Sequence, residues 1–250
     1  MNVERLVARL RAATPVALLP AVVALRSWVD WRRPAVREDA RAQMRFLLEH
    51  TRPDADLDEV ARAYVRYQAR RGELRWHPEL LTSLRVEGIE HLLDARDRGR
   101  GVVLNFVHHG YYDGGFPSIA RLGGPAHVVV HPYMLEPDAP LWLQQHVRIG
   151  SANGGTATSA AVGTEGLADL LRRGDTVAIA SDVAGRTPLR FVGREVRGSF
   201  GAARLATDTG AAVVVMAFDE EAEGPVIRLP EPIDLAGVHS PREPLERMLA

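Results

Sequence analysis

From residue 84 onward the chain alternates short β-branched apolar runs with helical segments. That alternation constrains the fold more than any other feature. The runs lie at Val102–Val107, Ala126–His131, Thr176–Asp182 and Ala211–Phe218. Each has the length of a buried strand. Helices are expected at Ile89–Arg98, Phe116–Leu122, Asp138–His146, Thr164–Arg173 and Ser199–Thr209, the last capped by Gly210. Leu84–Gly88 and Pro225–Leu229 read as further short strands, and Gly150–Gly155 as a flexible loop. Strands alternating with helices imply an α/β fold, a mostly parallel sheet with helices on both faces. Before residue 79 the pattern is helical, so the sequence divides into a helical segment, 1–78, and a single α/β unit, 79–250. The last residues, Glu243–Ala250, read as the start of a helix, and a short or truncated C-terminus is expected.

The run Val102–Val107 ends in His108-His109-Gly110-Tyr111-Tyr112-Asp113. In open α/β sheets ligands bind outside the carboxyl ends of the strands, so this cluster stands where chemistry is expected. His108 and Asp113 are five residues apart. On a turn running into a helix both can face one site. A histidine near neutral pKa can take a proton from an alcohol as that alcohol attacks an acyl carbonyl. A carboxylate on the other ring nitrogen fixes its tautomer. Gly110 would allow close approach to substrate. A structural histidine beside a capping Asp113 is the plain alternative.

Composition removes several other chemistries. There is no Cys, which excludes thiolate nucleophiles and cysteine zinc sites. Every basic residue is Arg, so no Schiff-base or P-loop lysine exists. No Gly-x-Ser-x-Gly elbow occurs; Ser199 reads as a helix N-cap. The net charge of −1 gives no sign of nucleic-acid binding. Zinc ligation by His108, His109, Asp113, His127 and His131 would make a hydrolase, but no metal-binding spacing supports it. His131 is a candidate border of the cleft.

Residues 1–78 carry fifteen Arg against ten Asp plus Glu. Ala12–Leu25 is apolar but interrupted by Pro15 and Pro20, and no run reaches the roughly 18–20 apolar residues of a membrane span. Trp28, Trp31, Arg32 and Arg33 follow it. Either an interfacial segment docking on anionic lipid or a buried core helix fits this stretch.

The ordered set of motifs resembles the lysophospholipid acyltransferase-like group, in particular the lipid A lauroyl/myristoyl acyltransferases and the phosphatidylinositol mannoside acyltransferases. The hallmark is His-x-x-x-x-Glu/Asp after a hydrophobic strand, here His108 to Asp113. The lead-in Val86–Leu92 and Arg98–Leu104 is similar, as are Leu170–Asp182, Gly185-Arg186 with Arg190–Gly193, and Gly201–Val215. The resemblance implies a three-layer α/β/α sandwich of the glycerolipid-acyltransferase type behind N-terminal helices. It implies transfer of a fatty acyl group from acyl-CoA or acyl carrier protein to a hydroxyl of a lipid or glycolipid. No cofactor beyond that thioester is implied. His108 would be the base and Asp113 its orienting partner. His109, Gly110, Tyr111, Tyr112, Arg148, Asp182 and Arg186 would contact substrate, Arg186 through phosphate or the pantetheine arm. A surface ion pair of Asp182 with Arg186 is the plain alternative. The expected location is cytoplasmic, peripheral on the inner face of the cell membrane.

Three departures from the family pattern stand out: Asp113 for the commoner Glu, His109 for an aromatic, and little of the family's C-terminal helix. His108-His109-x-x-x-Asp113-Gly114 also spells the motif of peptide-synthesis condensation domains, where the second histidine would be the catalytic one. A lipid-binding protein without turnover is the non-enzymatic alternative.

Overall fold

The computed structural model describes residues 3–233 and Leu235. The segment Glu243–Ala250 lies outside the described residues. Two compact units emerge, one of residues 1–77 with 190–195, the other of 78–189 with 196–250.

The helical unit contains α1 (Val3–Ala12), α2 (Leu19–Arg32), α3 (Pro34–Leu48) and α4 (Leu57–Leu74). Asp56 starts α4 by accepting hydrogen bonds from the amides of Asp58 and Glu59 at 2.9 and 3.1 Å. Ala61, Val65, Ala69 and Glu73 recur every fourth residue along α4 and are its buried stripe. Ala40 and Met44 of α3 pack against Ala61 and Val65, with Trp31 and Tyr64 at the margin.

Glu73 ends that stripe with a charge. Its carboxylate accepts hydrogen bonds from Arg11 of α1 (Nε 3.0 Å, Nη2 2.6 Å) and from Arg26 Nη1 of α2 at 2.7 Å. Burial pushes the Glu73 pKa up, but the two guanidinium groups outweigh it and hold it below the usual range. A depressed carboxylate pKa stabilises the fold above the unfolded pKa, and the contribution is lost as pH falls through the folded pKa. Glu73→Gln is expected to cost about 1–2 kcal/mol at neutral pH, because it takes the charged acceptor from two arginines that stay partly solvated. Urea titrations followed by circular dichroism check this. The gap between variant and wild type should close in acid.

No single described helix is long and apolar enough to cross a membrane; α1 and Val16–Arg32 form a pair bent by 96°. α1 buries none of its residues. Val3, Leu6, Val7 and Leu10 form a solvent-facing apolar stripe, and Val16, Leu18, Leu25 and Trp28 are exposed as well. Leu19 and Val23 are buried. The run Ala12–Leu25 is thus mostly surface, held to the helical unit by Leu19 and Val23.

The α/β unit runs β1 (Arg85–Glu87), α5 (Ile89–Asp97), β2 (Val102–Phe106), α6 (Tyr112–Arg121), β3 (Ala126–Val130), α7 (Leu141–Gly150), β4 (Thr156–Ser159), α8 (Gly163–Arg172), β5 (Thr176–Ala180), β6 (Ala184–Phe191), β7 (Arg194–Gly198), α9 (Gly201–Thr209), β8 (Ala212–Glu221) and β9 (Gly224–Arg228). A seven-stranded sheet has the order β1-β9-β8-β2-β5-β3-β4. All its pairs are parallel except the β8–β9 hairpin. Helices flank this mostly parallel sheet. β2, at its centre, is buried at every residue, as a parallel strand covered on both faces must be.

Four local expectations are corrected. α6 starts at Tyr112, which puts Asp113 in its first turn, where a carboxylate meets the positive end of the helix. α7 starts at Leu141 instead of Asp138, because Pro140 biases the residue before it away from helix. Gly150–Gly155 closes on a short 3₁₀ turn. There Asn153, at φ 59°, donates to the carbonyls of Thr82 (3.2 Å) and Pro117 (3.0 Å). β4 and the two-stranded β6–β7 sheet were not anticipated. The hairpin tip, 190–195, groups with the helical unit. Arg194 pairs there with Glu49 and lies 4.9 Å over the Phe46 ring.

Candidate active site

β2 and β5 are parallel neighbours in the register Phe106↔Ala180. Two residues past that pair stand His108 and Asp182. Sheet register alone therefore brings them to the same point on the carboxyl edge. Asn105 secures the register from below, donating through Nδ2 to the Ile179 carbonyl at 3.2 Å and to Ser181 Oγ. His108 Nδ1 lies 2.7 Å from Asp182 Oδ1, and the His108 amide donates to Asp182 Oδ2 at 2.8 Å. The five-residue spacing points to Asp113 as the partner that orients His108. The carboxylate bonded to His108 Nδ1 is that of Asp182. Nor does Asp182 form an ion pair with Arg186 among the described residues.

Burial raises the Asp182 pKa, but the two hydrogen bonds from His108 outweigh it, and the carboxylate sits below its ordinary range. Its contribution to stability is therefore present above the unfolded pKa and fades as pH falls through the lowered value. Asp182→Asn is expected to remove that dependence. Wild type and variant should differ in melting temperature at neutral pH and converge in acid, below the lowered Asp182 pKa. Differential scanning fluorimetry across pH measures it.

His108 opens on a cavity of about 340 Å³. Its polar lining includes His108, Tyr112, Asp113, His131 and His146, and its apolar lining includes Phe106, Phe116, Val130, Met134, Val147 and Ile179. Asp113 is 1% exposed. Its Oδ2 lies 3.2 Å from Nδ1 of His146, on α7. The Tyr112 hydroxyl is 3.4 Å from His146 Nε2, and the Tyr112 ring stacks on Phe106.

Several predicted contacts fall elsewhere. His109 turns toward β8, its ring centroid 5.9 Å from that of Phe218. Tyr111 is buried edge-on against the same ring at 5.4 Å. Gly110 has φ 62°, and a Cβ there would overlap the Phe218 ring, so packing explains this glycine without a substrate. Arg148 is exposed, bonds Gln145 Oε1 at 2.8 Å, and is not part of the cavity wall. Arg186 is exposed on β6. His127 lies in a separate pocket at the opposite sheet edge, with Nδ1 3.0 Å from Thr158 Oγ1. Among the described residues no three His, Asp or Glu side chains converge as metal ligands.

The sequence offers Arg148, and not His146, as the site residue of this segment. Helical spacing held the signal. Leu143, His146, Val147 and Gly150 share one face at i, i+3, i+4 and i+7, whereas Arg148, two residues on from His146, is turned by about 200°.

Chemically, an imidazole braced by a carboxylate beside an apolar cavity can act as a general base, and the cavity can take an apolar group. A comparison with curated protein sequences gives no significant match. Residues 55–234, more than half of the chain and including both histidine–carboxylate pairs, match the family model described as bacterial lipid A biosynthesis acyltransferase, and to that family this chain belongs.

Proposed function

We propose that the chain moves a fatty acyl group from a thioester donor, acyl-CoA or acyl carrier protein, to a hydroxyl of a lipid or glycolipid. The observation that carries this is the His108–Asp182 pair at the mouth of the apolar cavity. His108, its Nδ1 held by Asp182, takes the acceptor's hydroxyl proton through Nε2. The acceptor oxygen bonds to the carbonyl carbon, the C–S bond breaks, and the proton passes to the thiolate. The acyl chain occupies the apolar part of the cavity. The three-layer glycerolipid-acyltransferase arrangement belongs to this reading. The test is thiol release from acyl-CoAs and acyl carrier protein, with and without a bacterial lipid extract. Acceptor-dependent release supports the reading; lipid binding with no release from either donor sinks it. The condensation-type alternative needs His109 at the reacting centre, and His109 packs on Phe218 instead.

The reading extends to a peripheral position on the inner face of the cell membrane. It is supported by the exposed stripe of α1 and by a pocket of about 390 Å³ lined by Trp28, Trp31, Arg32, Arg62 and Arg66. Arg32 lies 3.3 Å over the Trp28 ring and Arg62 4.8 Å over Trp31. Cations with interfacial aromatics suit an anionic lipid surface. Leu10→Glu is expected to lower the vesicle-bound fraction about tenfold in flotation on phosphatidylglycerol vesicles, from the roughly 1.5–3 kcal/mol that a buried leucine contributes. Unchanged flotation would remove α1 from the docking surface.

A further inference from the structure

The cavity is lined by the histidines of two histidine–carboxylate pairs, and the reaction above uses one pair. We propose that His146 is a second catalytic imidazole, the hydrogen-bond donor to the thioester carbonyl oxygen, with Asp113 as its positioning carboxylate. This rests on the acyl-transfer reading and adds the group that stabilises its charged intermediate.

The geometry divides the labour. His108 Nδ1 is held by Asp182 at 2.7 Å, whereas Asp113 Oδ2 faces His146 Nδ1 at 3.2 Å. Asp113 is almost fully buried and the His146 side chain is 14% exposed. A carboxylate so far from water is stabilised by hydrogen-bond donors, and the His146 ring is placed to supply one. The other ring nitrogen, Nε2, lies 3.4 Å from the Tyr112 hydroxyl, which a substrate oxygen could displace. Tyr112 stands between the two imidazoles, with ring centroids 4.8 Å from His108 and 5.7 Å from His146.

The chemistry needs such a donor. A thiol has an ordinary pKa of about 8.5, so its thiolate departs without a dedicated acid. The unmet demand is on oxygen: as the acceptor attacks, the carbonyl oxygen gains a full negative charge. The Nε2–H of protonated His146 bonds that oxygen and keeps its proton when the C–S bond breaks. The acceptor's proton travels through His108 to the thiolate. Atoms and charge balance, and His146 ends as it began.

The test compares His146→Phe, which keeps a ring and loses the donor, with His146→Gln, which keeps a donor, and with Asp113→Asn alone and on the His146→Phe background. Thiol release from palmitoyl-CoA with octyl glucoside as acceptor gives kcat and KM, and melting temperatures confirm folding. His146→Phe is expected to lower kcat roughly 10²–10³-fold, the effect of losing one oxyanion donor, with KM changed less than about threefold. His146→Gln should recover at least about tenfold of this loss, and Asp113→Asn should cost almost nothing further once His146 is Phe. A His146→Phe kcat above about a tenth of wild type overturns the proposal. So does an Asp113→Asn effect undiminished on that background, which would show Asp113 acting through His108. Binding of hexadecylphosphonate against hexadecanol, by calorimetry, separates this inference from the function it rests on. Wild type should prefer the anion, and His146→Phe should lose at least about tenfold of the preference. An equal preference in both proteins, or none in wild type, defeats the role of His146 whether or not thioesters turn over. Absent thiol release in wild type with the preference intact would instead defeat the acyl-transfer reading with this donor.

Discussion

His108→Ala is expected to lower acyl transfer by roughly 10²–10⁴-fold, the usual worth of a positioned general base, while leaving the fold intact. The side chain is 42% exposed, and its hydrogen bonds join it to Asp182 and not to the core, so truncation opens no cavity. His109→Ala should stay within about threefold of wild type. Two adjacent histidines thus make opposite predictions, because successive residues leaving β2 turn to different neighbours, His108 to Asp182 just past β5 and His109 to Phe218 of β8. Initial rates of thiol release for both variants decide the matter. A large loss in His109→Ala alone would revive the condensation-type chemistry.

Gly110→Ala should carry the largest stability effect near the site, about 3 kcal/mol or more. Two costs combine. At φ 62° an L-residue pays about 1–2 kcal/mol for the left-handed conformation. The new Cβ also overlaps Cγ and Cδ1 of Phe218 and comes within 2.7 Å of its Cβ, an overpacking cost of about 1–3 kcal/mol. The ring is pinned between His109 and Tyr111, so it has little room to yield. Adding Phe218→Ala should relieve the overlap but not the backbone term. Gly110→Ala/Phe218→Ala is therefore expected to lie nearer to Phe218→Ala alone than additivity predicts. Chemical denaturation of the four proteins gives the cycle. Additive losses would mean that the ring does move aside.

What the sequence revealed was local. The strand at 102–106 announced itself by β-branched residues, and α9 ends at Gly210, with φ 70°, as a C-cap should. Asp182 was visible as an acid closing a strand. Its partner was not, because the His108–Asp182 contact joins residues 74 apart through sheet register, and five-residue spacing offered Asp113 as the nearer candidate. Helix α6 carries Asp113 toward α7 and His146, a long-range packing fact with no local trace. The β6–β7 hairpin was hidden for a related reason. Its stretch of Arg, Gly and Thr lacks a clear apolar alternation, and the two strands pair mainly with each other.

The placement of residues 190–195 has a consequence for the order of synthesis. The helical unit leaves the ribosome before the α/β unit, yet one of its pieces is encoded far downstream, at the tip of the β6–β7 hairpin. At roughly 5–20 residues per second, the interval between residues 77 and 195 lasts on the order of 6–24 s. During that interval Glu49 and Phe46 wait for Arg194. The helical unit is therefore completed only after β1 to β5 have already been translated, and the two units mature interleaved in time, not one after the other.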